Sequence, residues 1–144
     1  MEMIKSVQQL GQIMVNKIGT AVQEECWVVG LSTQMAVLIM QRVALGSVDH
    51  VDVQPRDIFR PLIAMNVYGF VLIHNHPSNN LNLSENDEKF KIQIEICSKI
   101  IQCHFLDFIV VTRQEFISQR SINRMPQISL AEVILPFTDS VGLC

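Results

Sequence analysis

Two histidines one residue apart, His74 and His76, close an apolar run, and Ser84-x-x-Asp87 follows after a loop of Pro, Ser and Asn. In an extended segment residues i and i+2 point to the same side, so both imidazoles can reach one ion. Asp87, in the first turn of the next predicted helix, adds a carboxylate. Three protein ligands with a fourth position left open is the arrangement of a catalytic zinc site. Two imidazoles suit zinc better than magnesium, and nickel or iron also accept such donors. Simpler roles exist for two of these residues: Asp87 as a carboxylate favoured by the helix dipole, Ser84 as an N-cap. His50 and His104 stand alone and read as ordinary surface or core residues. A pair of imidazoles at the end of a buried strand has no such packing rationale. Hydrolysis also needs a carboxylate base, and Glu24 and Glu25 are adjacent candidates at the start of a strand. Neighbours on a strand face opposite ways, and spacing alone does not choose between them.

The elements that would position these residues are legible from periodicity. Ile4 to Thr20 carries apolar residues at helical spacing. Cys26–Ser32 and Met35–Leu45 are β-rich runs joined by a short polar turn, hence a hairpin. Val51-Asp52-Val53 reads as a short strand, and Pro55 opens a helix to about Met65 that Pro61 should kink or restart. Tyr68–Ile73 is almost continuously apolar, the mark of a strand covered on both faces. Ser84 then starts a helix to about Gln102, with Phe90, Ile94, Cys97 and Ile101 on one stripe and Ile92, Ile96 and Ile100 widening it. Phe105–Val111 and Glu115–Ser118 are two further strands. An apolar segment, Ile128–Leu135, lies between Pro126 and Pro136 and is expected to pack on its own domain.

Composition bounds the function. The 144 residues are 49% hydrophobic and 17% charged, which suits one domain with a substantial core. Eleven basic against fourteen acidic side chains give a net charge of −3, so strong nucleic-acid binding is not expected, although Arg56, Arg60, Arg120 and Arg124 could form a local patch. Cys26, Cys97, Cys103 and Cys144 make no Cys-x-x-Cys pair, and the first three sit in or beside apolar runs as small core hydrophobes. The expectation is a cytoplasmic protein with reduced thiols and no membrane span. A nucleobase deaminase would need His-x-Glu and Pro-Cys-x-x-Cys, and neither occurs.

From about Glu25 to Ser118 the chain resembles the RadC branch of the JAMM zinc hydrolases. The likeness rests on His-x-His, seven residues, Ser, two residues, Asp; on the His-Asn-His-Pro-Ser opening; on Glu25-x-Trp27; on Pro55-Arg-Asp-Ile-Phe-Arg60; and on Leu106-Asp107. It departs at Asn79, Leu83 and Phe108, where RadC proteins usually have Gly, Pro and His. The resemblance implies a three-layer α-β-α sandwich around a mixed sheet, similar to cytidine deaminase, and a zinc-dependent peptidase or isopeptidase acting on a peptide or protein. It implies zinc on His74, His76 and Asp87, Ser84 facing a developing oxyanion, and Glu25 as the base, leaving Glu24 an exposed charge. It divides the chain into a helix (1–22), the domain (23–120) and a tail of unknown role (121–144). Residues 1–22 lack the paired turns of the helix-hairpin-helix module with which RadC proteins commonly begin. The alternative in the same family is a non-enzymatic DNA-repair accessory or protein-binding scaffold.

Overall fold

The computed structural model describes residues 2–46 and 52–141; His50, Val51 and Cys144 of the expectations above lie outside them. Strand β3 (Gly69–Asn75) is buried at every residue, as its apolar sequence requires, because helices cover both faces of the sheet around it. It lies at the centre of a five-stranded sheet of order β2-β1-β3-β4-β5. Strands β1 (Glu25–Leu31) and β2 (Val37–Leu45) form the expected antiparallel hairpin, and β1 also pairs antiparallel with β3. The parallel pair, β3 with β4 (His104–Val111), is joined through helix α3 (Glu85–Ile101), and β5 (Phe116–Ser118) closes the edge antiparallel to β4. The fold is therefore α/β with a mixed sheet and an α-β-α arrangement.

Side-chain alternation along the strands divides the interior into two cores. On one face Val29, Leu31, Val71, Ile73, Ile109 and Val111 pack against α1 (Val7–Ile18) through Leu10, Met14, Val15 and Ile18. Helix α1 is N-capped by Ser6, whose Oγ accepts from Gln9 N at 3.1 Å. Its Gly11 lets the Phe116 ring of β5 come so close that a Cβ would lie 2.4 Å from the ring. On the other face Cys26, Val28, Phe70, Leu72, Phe108 and Val110 pack against Ile58, Phe59 and Leu62 of α2 (Pro55–Ala64) and Ile94 of α3.

Several expectations are corrected. Asp52 and Val53 are irregular rather than strand, and Val53 instead lies against the core. Helix α2 runs unbroken past Pro61: a proline this near the end of a short helix forfeits one hydrogen bond to the first turn, and Met65 N still donates to Pro61 O. Helix α3 lays Phe90, Ile94 and Cys97 of the predicted stripe on the core, but not Ile101 or the wider apolar face. Ile94 is buried, yet so are Lys91, Glu95 and Ser98, while Ile92, Ile100 and Ile101 are exposed. The flank of α3 toward β5 is satisfied by polar contacts, Lys91 Nζ lying 2.8 Å from Glu88 and donating to Gln119 Oε1 at 3.1 Å. The tail forms α4 (Leu130–Val141), continuing past Pro136 and touching α3, with Ile134, Leu135 and Phe137 exposed. Cys26 and Cys103 are buried, Cys97 half-buried, and all three are free. No helix among the described residues is long and apolar enough to cross a membrane.

Candidate metal centre

The β1–β3 ladder ends at the pair Cys26–His74. Paired residues share a face, so His74 emerges on the same side as Cys26 and, by alternation, as Glu24. Beyond His74 the chain leaves β1 but stays with β4, and two residues on His76 N donates to Val111 O at 2.8 Å. The ring of His76 meets that of His74 edge-on with centroids 4.6 Å apart. The loop then carries the chain to α3, where Ser84 and Asp87 form a capping box: Asp87 N donates to Ser84 Oγ and Ser84 N to Asp87 Oδ2, both at 3.0 Å. That box aims the Asp87 carboxylate at both histidines, Oδ2 lying 3.2 Å from His76 Nε2 and Oδ1 3.8 Å from His74 Nε2.

The fourth group is Glu24. Its carboxylate is 6% exposed and lies 3.8 Å from His74 Nε2. Among the described residues, donor atoms of Glu24, His74 and His76 fall within 4.8 Å of one another, a buried group that could hold a metal ion. Glu25, expected beside the ligands, is not there. Its side chain lies on the α1 face, where Oε1 accepts from Trp27 Nε1 at 2.9 Å and sits 3.6 Å from Arg42 Nη1; Trp27 itself lies beneath Lys17 of α1. The carboxylate beside the histidines is therefore Glu24, because the register of β1 against β3 gives position 24 the parity of His74. Spacing alone left that choice open, and no local signal in the sequence could have closed it.

Electrostatics prepares the imidazoles for a cation. Burial holds the His74 pKa down at about 4, against the pull of Asp87 and with some help from His76, so this ring is neutral at neutral pH, as a ligand must be. Its Nε2 is buried and has no hydrogen-bond partner among the described residues. A buried nitrogen in that state costs about 1–3 kcal/mol, a cost that a bound ion removes. Burial also lowers the His76 pKa, but the hydrogen bonds to Asp87 and to Asn80 O outweigh it and leave it raised. The contact of His76 Nδ1 with Asn80 O at 2.5 Å makes Nδ1 a donor, the usual outer support of a metal-binding histidine, and turns Nε2 toward Asp87 Oδ2 at 3.2 Å. Burial would raise the Asp87 pKa, yet His76, His74 and Ser84 together bring it to about 2. The donor set of two imidazoles and two carboxylates thus fits a first-row divalent ion.

The group opens into a cleft of about 970 Å³ whose walls include Leu72, Phe90 and Phe108 beside Ser84, Asn86 and Gln93. Cys26 lies on its floor with its thiol pushed up to about 12 by burial and then by Asp87, so it stays protonated and is no nucleophile. His104 stands apart, its ring tilted against that of Tyr68 with centroids 4.7 Å apart at the far end of the sheet. Arg56 and Arg60 lie on α2, and Arg120 and Arg124 beyond β5, so the four do not form one patch.

The family model of the RadC-like JAB domain matches residues 4–124. The chain belongs to that family. The matched residues take in α1 and end before α4. Similar to this RadC-like JAB domain are UPF0758 proteins of Carboxydothermus hydrogenoformans (33% identical over 105 residues, 73% of this chain and 46% of that protein), Clostridium beijerinckii (30% over 115 residues, 80% and 50%) and Fusobacterium nucleatum (30% over 103 residues, 72% and 44%). The chain spans about half the length of these curated relatives.

Proposed function

We propose that this RadC-like JAB domain is a zinc-dependent hydrolase of amide bonds, with a peptide or isopeptide-linked protein as substrate. The observation that carries the reading is the buried, unsatisfied Nε2 of His74 facing two carboxylates. Zinc on His74, His76 and Asp87 would supply Lewis acidity, bringing a water's pKa toward neutrality and polarising the scissile carbonyl. Glu24 takes the attacking water's proton on its carboxylate and returns it to the leaving nitrogen. Ser84 Oγ already accepts from Asp87 N, which leaves its O–H to donate to the developing oxyanion. Leu72 and Phe108 on the cleft wall keep bulk water from the buried side of the site. A non-enzymatic accessory role gives no reason for a buried glutamate, a half-buried aspartate and two buried imidazoles to converge at the head of a cleft.

Metal analysis of protein purified without added metal, together with a panel of quenched fluorescent peptides and isopeptides, tests the reading. The expected result is about one zinc per chain and zinc-dependent cleavage, with both lost in His74→Ala and His76→Ala. Near-stoichiometric zinc in both variants, or a zinc-loaded wild type that cleaves nothing on the panel, overturns it.

A further inference from the structure

Asn75 stands between the two histidines and, by alternation, projects from the opposite face of β3. Its side chain is 1% exposed and both of its polar atoms are used. Oδ1 accepts from Glu25 N at 2.5 Å, and Nδ2 donates to Gln23 O at 3.0 Å. These two bonds bracket Glu24, one on each side.

The reason lies in where the ladder stops. Main-chain pairing of β1 with β3 ends at Cys26–His74, and beyond it His76 turns its N–H to Val111 of β4. The Glu25 N–H and the Gln23 C=O, which both point toward β3, would be left without a main-chain partner just where Glu24 must be held. From the β2 side Gly46 N donates to Glu24 O at 2.8 Å, so the Asn75 amide completes the grip on this segment from the other flank. Few side chains can do this. Asp lacks the donor, Leu lacks both functions, and Gln is a methylene longer.

We propose that Asn75 is a positioning residue for Glu24: its amide replaces the missing rung of the sheet and fixes the carboxylate against the metal-binding histidines. The inference rests on the reading of Glu24 as the carboxylate that serves the ion. It also accounts for a polar residue lying buried between two others that face the opposite way.

In wild-type protein free of metal, NMR should show a scalar coupling across the hydrogen bond from the Glu25 amide nitrogen to Asn75 Cγ; its absence, with the Glu25 amide exchanging freely, overturns the proposal. In Asn75→Leu the Glu25 amide should exchange about tenfold faster or more, the loss of one hydrogen bond, while Val28 and Val71 amides are unchanged. Asn75→Asp, which keeps the acceptor, should restore protection at Glu25. A double-mutant cycle with Glu24→Gln then reads zinc affinity by chelator competition and, with a cleavable peptide, kcat and KM. Asn75→Leu should weaken zinc and lower kcat, with KM unchanged, in the presence of Glu24, and add almost nothing in the Glu24→Gln background. Equal factors in both backgrounds would show a merely structural role and overturn the proposal. If no peptide is cleaved, the hydrolase reading fails, while the zinc arm of the cycle still decides the role of Asn75.

Discussion

Glu24→Gln is the substitution that separates the proposed base from the proposed ligands. Gln keeps the size of the side chain and leaves the main-chain bonds of Gly46 N to Glu24 O and of Asn75 to Gln23 and Glu25 intact, so the fold and the histidine geometry persist. What is lost is a carboxylate, 6% exposed and 3.8 Å from His74 Nε2, that can accept a proton. General-base catalysis contributes about 10² to 10⁴ in rate, or about 3–5 kcal/mol of barrier, and kcat should fall by that factor with zinc retained at saturating metal. The control is Glu25→Gln. That side chain receives one hydrogen bond from Trp27, which a Gln oxygen still accepts, and a half-exposed ion pair from Arg42, which is lost, so the substitution costs about 0–1 kcal/mol of stability and leaves kcat within about twofold. Zinc content by elemental analysis, urea unfolding and initial rates on one peptide separate the outcomes. A large fall in kcat for Glu25→Gln with a silent Glu24→Gln would refute the strand parity. Loss of zinc from Glu24→Gln at saturating metal would make Glu24 a ligand rather than the base.

Asp87→Ala removes both a proposed zinc ligand and half of the α3 capping box, and should lose zinc and about 1 kcal/mol of metal-free stability. Ser84→Ala should cost a similar amount in urea unfolding but keep zinc; equal zinc loss in the two would refute the division of roles. Burial raises the Asp107 pKa above 3.8 despite hydrogen bonds from Ser118, Arg120 N and Phe108 N. The native state therefore holds this proton more tightly than the unfolded chain, and its stabilising effect, full below pH 3.8, is lost as pH rises through the folded pKa. Asp107→Asn should flatten that part of the urea-midpoint curve, and parallel curves for variant and wild type would refute it. Gel-shift titration should show only weak, salt-sensitive DNA binding, since the chain carries no basic excess; tight binding at physiological salt would favour the accessory reading.

Much of the site was legible along the chain because its logic is local. The two-residue repeat of an extended segment put His74 and His76 on one side, and the Ser-x-x-Asp signature of a helix start placed Ser84 at the N-cap and Asp87 in the first turn. The continuous apolar run at Tyr68–Ile73 marked a central strand for the same reason. Other features depend on how distant segments meet. The stripe of Phe90, Ile94 and Cys97 on α3 packs as expected, but its widening by Ile92 and Ile100 does not, because Lys91 and Glu95 take buried positions with polar company that the helix alone cannot reveal.

The two adjacent glutamates show where sequence stops. Residue types and spacing established a cluster of imidazoles and a carboxylate, and the resemblance carried the general base to position 25. Which glutamate faces the histidines depends on the register of β1 against β3, and a slip of one residue exchanges the faces of every side chain on a strand. That register is set by packing on both sheet faces and by the bond from Glu25 N to Asn75, fifty positions apart in the chain. Local periodicity can establish that neighbours face opposite ways; only the paired strands decide which of them faces the histidines.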